Sequence, residues 1–270
     1  MLLFAFFSCQ TKLAPNVQEK SKENPSKKWE QILLKSTENN DGNVDYSYIE
    51  ENRHILEQYM DWIGTHGPFS DKMRIRESKK KIAFLLNAYN AAVIYGVLEN
   101  ELHLKNERVI DVSSGLFPSG GAGFFLGQQF FIDGEWVSLF VLEQQYILGN
   151  FQDPLLHAGM NCASKGCPPL TFWKEKTVKT KLKTHFKKFL NGPQGMRKIN
   201  NQWAVSELFE WYEMDFLQWS NASNLCAYLV EYTTDEDAKQ FLETQSTQEC
   251  ELQYFEYDWS LNKTNLKNAQ

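Results

Sequence analysis

Ile82-Ala-Phe-Leu-Leu-Asn-Ala-Tyr-Asn-Ala-Ala-Val-Ile-Tyr-Gly-Val-Leu98 is apolar on nearly every side of a helical wheel. A helix of that kind has no solvent face, so it belongs in the middle of a globular domain. It forms the second half of a helical region spanning 74–99. Asn87 and Asn90 interrupt it three residues apart, on one face. There each amide must find partners for its donors and its acceptor, either in the core or at a cleft. The rest of the chain has to be built around this helix.

Upstream, Trp29 to Leu34 starts a short helix that the cluster Asn39-Asn-Asp-Gly-Asn43 stops. Val44 to Gly64 reads as a helix, with Ile49, Leu56, Tyr59, Met60 and Ile63 on one face. Downstream, Arg108 to Val112, Gly127 to Ile132 and Glu135 to Val137 carry the branched and aromatic residues of strands. Asp133-Gly134 makes a hairpin turn between the last two. Ser114 to Gly123 is a glycine-rich loop without the spacing or lysine of a phosphate loop. Ser138 caps a helix to Leu148, and Leu155 to Cys162 fits either a strand or a helix. Thr177 to Leu190 is a basic amphipathic helix whose lysines read as a solvated face. Lys198 to Val205 suggests a hairpin, and Ser206 to Met214, Asn224 to Tyr232 and Asp235 to Thr244 suggest helices. Tyr254 to Asn262 is expected to close the chain as a strand. Helices first and strands in the middle imply α+β: a single domain over 29–262 with a buried central helix, a mostly antiparallel sheet and peripheral helices.

The 270 residues are 42% hydrophobic, 14% aromatic and 23% charged, enough apolar material for a sizeable core and too much for a disordered chain. The longest uninterrupted apolar run, Leu2 to Phe7, is far short of the roughly 20 residues of a membrane span. A net charge of −6 gives nucleic acid no overall attraction to the surface. The opening Met1-Leu-Leu-Phe-Ala-Phe-Phe-Ser8-Cys9 reads as the remnant of a bacterial lipoprotein signal over 1–9, although the usual basic start is missing. Cys9 is then the lipidation site, and the polar, lysine-rich 10–28 is a flexible tether. The expected partner is a membrane, through the lipid, and the expected location is the cell envelope, periplasmic or surface-exposed. Residues 263–270 form a tail. Setting Cys9 aside, the remaining four of the five cysteines, Cys162, Cys167, Cys226 and Cys250, can form two disulfides in an oxidising compartment. Sequence alone allows three pairings of the four, of which Cys162 with Cys167 and Cys226 with Cys250 is the local choice.

The densest reactive stretch is His157-Ala-Gly-Met-Asn161-Cys162-Ala-Ser164-Lys-Gly-Cys167-Pro168-Pro169. A thiolate nucleophile needs a nearby base or cation, and His157 is the adjacent choice. As a strand or as a helix, however, the segment turns His157 and Cys162 away from each other. A loop-pinning disulfide, a cysteine-based active site and a metal site of His157, Cys162 and Cys167 all compete for this segment. The metal reading lacks a fourth ligand, and no metal or cofactor is expected. Glu143, on an otherwise apolar helix, is either at an edge or buried with a partner. Asp258 lies beside Ser260 and Asn262 on the polar face of the last strand. His54, His66, His103 and His185 stand in polar or loop contexts and receive no role.

Taken in order, Val44-Asp45-Tyr46, Leu86-Asn87-Ala-Tyr89-Asn90-Ala91, Leu142-Glu143, His157, Asn161-Cys162-Ala-Ser164-x-x-Cys167-Pro168, Phe209-x-Trp211-Tyr212-x-x-Asp215-Phe216 and Tyr257-Asp258-Trp259-Ser260-Leu261-Asn262 resemble the domain of unknown function 547 family of bacteria and plants. The matches cover about 44 to 262. Gln144 stands where the family often has a histidine, which weakens any mechanism built on a Glu-His pair. The resemblance implies positions and no reaction: Asn87, Tyr89, Asn90, Glu143, His157, Asn161, Cys162, Ser164, Cys167 and Asp258.

Two functions follow as expectations. In the first, Cys162 is the nucleophile of a hydrolase or acyltransferase acting on peptide or acyl bonds. His157 is its base, Asn161 or Asn87 the oxyanion donor, and Glu143 a supporting carboxylate, while Asn90, Tyr89, Ser164 and Asp258 contact the substrate. In the second, the cysteines are disulfide-bonded and the protein is a binding or scaffolding module for a peptide or small molecule. Its aromatics, Trp136, Trp211, Trp219 and Trp259 among them, supply core and ligand face. Thiol-disulfide exchange by Cys162 and Cys167 ranks third, because four residues separate them instead of two.

Overall fold

The computed structural model describes residues 10–15, 23–38, 42–68 and 78–264. Cys9 and the signal remnant, residues 16–22 of the tether expected over 10–28, the 39–41 part of the first turn, the 74–77 start of the central helix and the tail beyond 264 lie outside them.

The helix Ser78–Glu99 runs through the centre, and every residue from Leu85 to Leu98 is buried. It is long and apolar enough to cross a membrane by length and composition, but 89% of that apolar window is buried inside the protein. Around it pack Ser26–Ser36, which carries Trp29, and a helix pair, Tyr46–Glu51 and Arg53–Thr65. The single helix expected over Val44 to Gly64 breaks at Asn52, which leaves helical geometry at φ −110° and ψ 22° while its side chain bonds back to Tyr48 O. Asp45 caps the first of the pair by accepting from the Tyr48 amide.

The α+β class holds, and the strands divide into two three-stranded sheets of the same plan. In the first, β1 (Thr11–Leu13) runs parallel to β2 (Gln128–Ile132), which is antiparallel to β3 (Glu135–Ser138). In the second, β4 (Met196–Ile199) and β5 (Gln202–Ser206) form an antiparallel hairpin, with β6 (Gln253–Phe255) parallel to β5. Both hairpin turns hold two residues at positive φ, Asp133-Gly134 at 52° and 89° and Asn200-Asn201 at 49° and 66°. This is the turn whose twist suits a tight hairpin. Each sheet therefore has one parallel pairing where a mostly antiparallel sheet was expected, because its third strand arrives from far along the chain. Thr11–Leu13, read as tether, is one of those strands.

Three further local expectations change. Arg108 to Val112 is no strand: Val109–Asp111 is a single 3₁₀ turn, closed by the Asp111 carboxylate on the Arg108 amide and guanidinium. Leu155 to Cys162 is neither α-helix nor strand, because Pro154–Gly159 is 3₁₀, started by Pro154 and by Asp153 accepting from the Leu155 amide. Beyond Phe255 the chain leaves the sheet as an extended segment along the cysteine loop, bridged at Ser164 with Leu261 and bonded by the Lys165 and Gly166 amides donating to Ser260 O and Asp258 O. Ser138 caps its helix as expected, accepting from the Val141 amide, but after Val141 the turns widen into a π-helix, Leu142–Leu148.

Two hydrophobic cores result. One surrounds the central helix; the other gathers Phe186, Phe209, Phe216, Tyr228 and Leu229 in the C-terminal half. The helix Val178–Leu190 stitches them, giving Val178 and Leu182 to the first and Phe186, Phe189 and Leu190 to the second.

Candidate functional site

A cavity of about 480 Å³ opens at the seam between the two cores, a volume suited to a small organic molecule. Tyr89 and Met160 come to it from the first core, and Leu208, Cys167 and Tyr257 from the second. Phe140 and Trp211, each 47% exposed, stand at its rim. Trp211 stacks on Trp259 at 5.8 Å, and Tyr257 fills the angle between them.

Glu143 projects into this apolar space from the first turn of the π-helix, a wide-turn insertion frequent at functional sites. Tyr212 Oη donates to Oε1 at 2.8 Å, Gln144 Nε2 to the same oxygen at 3.1 Å, and Tyr89 Oη to Oε2 at 3.1 Å. A carboxylate offers about four lone-pair sites. Three donors thus leave room for one more, on the Oε2 side. Burial, reinforced by the Glu143 charge, pushes the Tyr89 and Tyr212 hydroxyls well above the usual phenol range, so both remain donors.

His157 is buried on the same cavity lining. Its Nε2 meets Asp215 Oδ2 at 3.0 Å, and its ring lies against Tyr212 at 4.0 Å. The expected pairing of His157 with Cys162 is replaced by this one. The 3₁₀ turn points the imidazole toward the helix Glu213–Gln218, which carries Asp215.

Cys162 is disulfide-bonded to Cys167, with Cα atoms 6.3 Å apart, and both line the cavity. In that state Cys162 offers no thiolate, so the nucleophile expected there has neither its charge nor its base. The Cys162 amide donates to Cys167 Sγ at 2.9 Å and Tyr257 Oη to the same sulfur at 3.0 Å. The Ser164 hydroxyl lies 3.1 Å from Cys162 Sγ and donates to Tyr257 Oη at 2.9 Å. Gly166 makes this possible, since a Cβ there would sit 2.8 Å from the Tyr257 ring. Neither cysteine of the second disulfide, Cys226–Cys250, lines the cavity; Cys226 is fully buried in the second core and Cys250 half-buried against it.

The asparagines lie behind the lining and not on it. Asn87 exchanges two bonds with the Trp173 backbone, donating to its carbonyl and accepting from its amide, both at 2.8 Å. Asn90 donates to Gly159 O and accepts from the Asn161 amide. The Asn161 side chain donates to Pro168 O and accepts from the Ala163 amide and from Asn262 Nδ2. Asn90 and Asn161 hold the cysteine loop against the central helix, Asn87 holds the Trp173 segment and borders a separate surface cavity, and none of the three lines the cavity of Glu143. Asp258 also stays outside, closing an exposed turn by accepting from the Ser260 amide at 2.9 Å. Of the expected residues, the structure brings together Tyr89, Glu143, His157, Cys162 and Cys167, with Ser164 just behind the sulfurs. It adds Tyr212, Asp215, Gln144, Tyr257 and Trp211. Four of these five stand in the two aromatic motifs quoted above, Phe209 to Phe216 and Tyr257 to Asn262, and that was the available signal. Among the described residues, no group of three or more metal-ligating side chains lies together.

The family model described as protein of unknown function, DUF547, matches residues 74–190, the stretch that contains the central helix, Glu143, His157 and the cysteine loop. No curated protein and no solved structure matches the chain.

Proposed function

We propose that the protein is a ligand-binding module of the bacterial envelope. Its cavity takes a small amphipathic molecule that is apolar over most of its length and carries one ammonium or hydroxyl donor. The observation that carries this reading is Glu143: a carboxylate in an aromatic cavity, aimed by the buried Tyr89 and the half-buried Tyr212 and still able to accept one donor. Burying a charge is costly without partners, and a site that fixes its orientation selects a ligand of complementary charge. The rim of Phe140, Trp211 and Trp259 supplies flat surfaces for the apolar part.

The envelope location and a lipid on Cys9 belong to the same proposal. Two disulfides suit an oxidising compartment. Metabolic labelling with an alkyne fatty acid should tag the wild-type chain and spare Cys9→Ser; equal labelling of both removes the anchor.

For the cavity, titration calorimetry with 2-phenylethylamine and with its uncharged analogue ethylbenzene is the direct test. The amine should bind more tightly, and Glu143→Gln should weaken it by roughly ten- to a hundredfold, the worth of a hydrogen bond to a charged group. Equal affinity for wild type and Glu143→Gln overturns the reading.

A further inference from the structure

We infer that the Cys162–Cys167 disulfide is a thiol-disulfide exchange centre for low-molecular-weight thiols that enter the cavity. The inference rests on the reading of the cavity as a small-molecule site and adds a reaction to it.

The two disulfides differ in what surrounds their sulfurs. Cys226 is fully buried in the second core and Cys250 half-buried against it, and neither lines the cavity. Cys162–Cys167 lines an open cavity, and Cys162 is the more accessible partner. Exchange requires an accessible sulfur to attack and a leaving sulfur whose thiolate is stabilised. Cys167 is placed to leave. The Cys162 amide and the Tyr257 hydroxyl already point at its Sγ, at 2.9 and 3.0 Å. Donors aimed at the atom where charge develops favour the step that develops it. Burial keeps the Tyr257 hydroxyl protonated, and Ser164 fixes its direction.

A thiolate RS⁻ attacks Cys162 Sγ, forming an R–S–Sγ bond and breaking the bond to Cys167, which takes the electron pair. A second RS⁻ attacks the sulfur of R in the mixed disulfide, releasing RSSR and leaving Cys162 as a thiolate. The two protons given up by the thiols end on Cys162 and Cys167. In sum, two RSH are oxidised to RSSR and the protein disulfide is reduced to two thiols; the reverse direction consumes RSSR. A thiol that also carries an ammonium meets Glu143 on the same lining.

The native protein is incubated with cysteamine or 2-mercaptoethanol, quenched with iodoacetamide, and the alkylated cysteines are located by peptide mass spectrometry. Cys162 and Cys167 should become alkylated roughly ten times faster, or more, than Cys226 and Cys250, with the fold intact by circular dichroism. Cysteamine should outpace 2-mercaptoethanol. Tyr257→Phe should slow the opening roughly tenfold, the effect of one lost bond to a thiolate. Ser164→Ala, a smaller change to the core, should slow it in the same direction. In Cys167→Ser, cystamine should leave its adduct on Cys162. Equal opening rates for the two disulfides, or opening at wild-type rate in both hydroxyl variants, overturns the inference. If 2-phenylethylamine binds with its dependence on Glu143 while the disulfide stays closed, exchange fails and the binding reading stands. If the disulfide opens selectively while the amine does not bind, the role of Glu143 fails and exchange stands.

Discussion

The two disulfides close loops of different length in different surroundings, and the contrast separates what holds this protein together from what it presents to a ligand. Cys226–Cys250 spans 24 residues and ties the helix Leu225–Val230 to the segment that leads into β6. Cys162–Cys167 spans 5 residues, in a loop that the asparagines Asn90 and Asn161 already pin. A cross-link stabilises mainly by restricting the unfolded chain, and it does so more as the loop lengthens. The long bridge is where the stabilisation lies. The short one adds little to a loop already fixed by hydrogen bonds, yet it is the one beside hydroxyls and open space.

The strongest way to break this contrast is to remove the hydrogen bonds that make the short bridge redundant. Asn161→Ala orphans the Pro168 carbonyl, the Ala163 amide and the Asn262 side chain. At 1–3 kcal/mol for each stranded group, it should cost about 4 kcal/mol in urea unfolding. It should also loosen residues 161–168 in hydrogen exchange while residues 225–250 stay protected. The next effect belongs to the long bridge. Replacing Cys226 and Cys250 by alanine should cost about 3.5 kcal/mol, and the same change at Cys162 and Cys167 about 2 kcal/mol. An inverted order in thermal or urea melts would undo the assignment of stability to the second core.

Acid sharpens the comparison through the helix that joins the cores. His185 lies there with its ring edge-on to Trp173, and burial pushes its imidazole from 6.5 down to about 4. The folded protein keeps His185 neutral while the unfolded chain protonates, so the contribution is whole above pH 6.5 and is lost as pH falls toward 4. The loss should reach about 3 kcal/mol and disappear in His185→Gln, measured as urea midpoints across that range. The smallest effect is that of Asp258→Ala. It removes one bond at an exposed turn, should cost about 1 kcal/mol, and should leave 2-phenylethylamine binding unchanged.

What could be read from the residues alone divides along physical lines. The central helix, its burial, both hairpin turns and the Ser138 cap were legible because periodicity and turn chemistry are local. The parallel strands Thr11–Leu13 and Gln253–Phe255 were not, since their partners lie more than a hundred residues and about fifty residues away, respectively, and three residues carry no period. Val109 and Ile110 have strand character without a strand beside them, and a local Asp111 contact decided their geometry. In the site, reactive residue types drew attention to Asn87, Asn90, Asn161 and Asp258, whose bonding capacity the main chain absorbs. Tyr212 and Tyr257 stood inside the quoted motifs without a role of their own. Only the folded chain reveals that one hydroxyl holds Glu143 and the other holds a sulfur.

The strand β1 has a consequence for how the protein meets its surroundings. Gln10 Nε2 donates to the carbonyl of Leu126, a residue of the cavity lining, and the next three residues are locked into the first sheet. A lipid on Cys9, as proposed, would therefore have a leash of a single peptide unit, about 3.5 Å long. The cavity would be held at the bilayer surface, and an amphipathic ligand could reach it by lateral diffusion within the membrane plane. Its effective concentration would then be counted per area of lipid and not per volume of water.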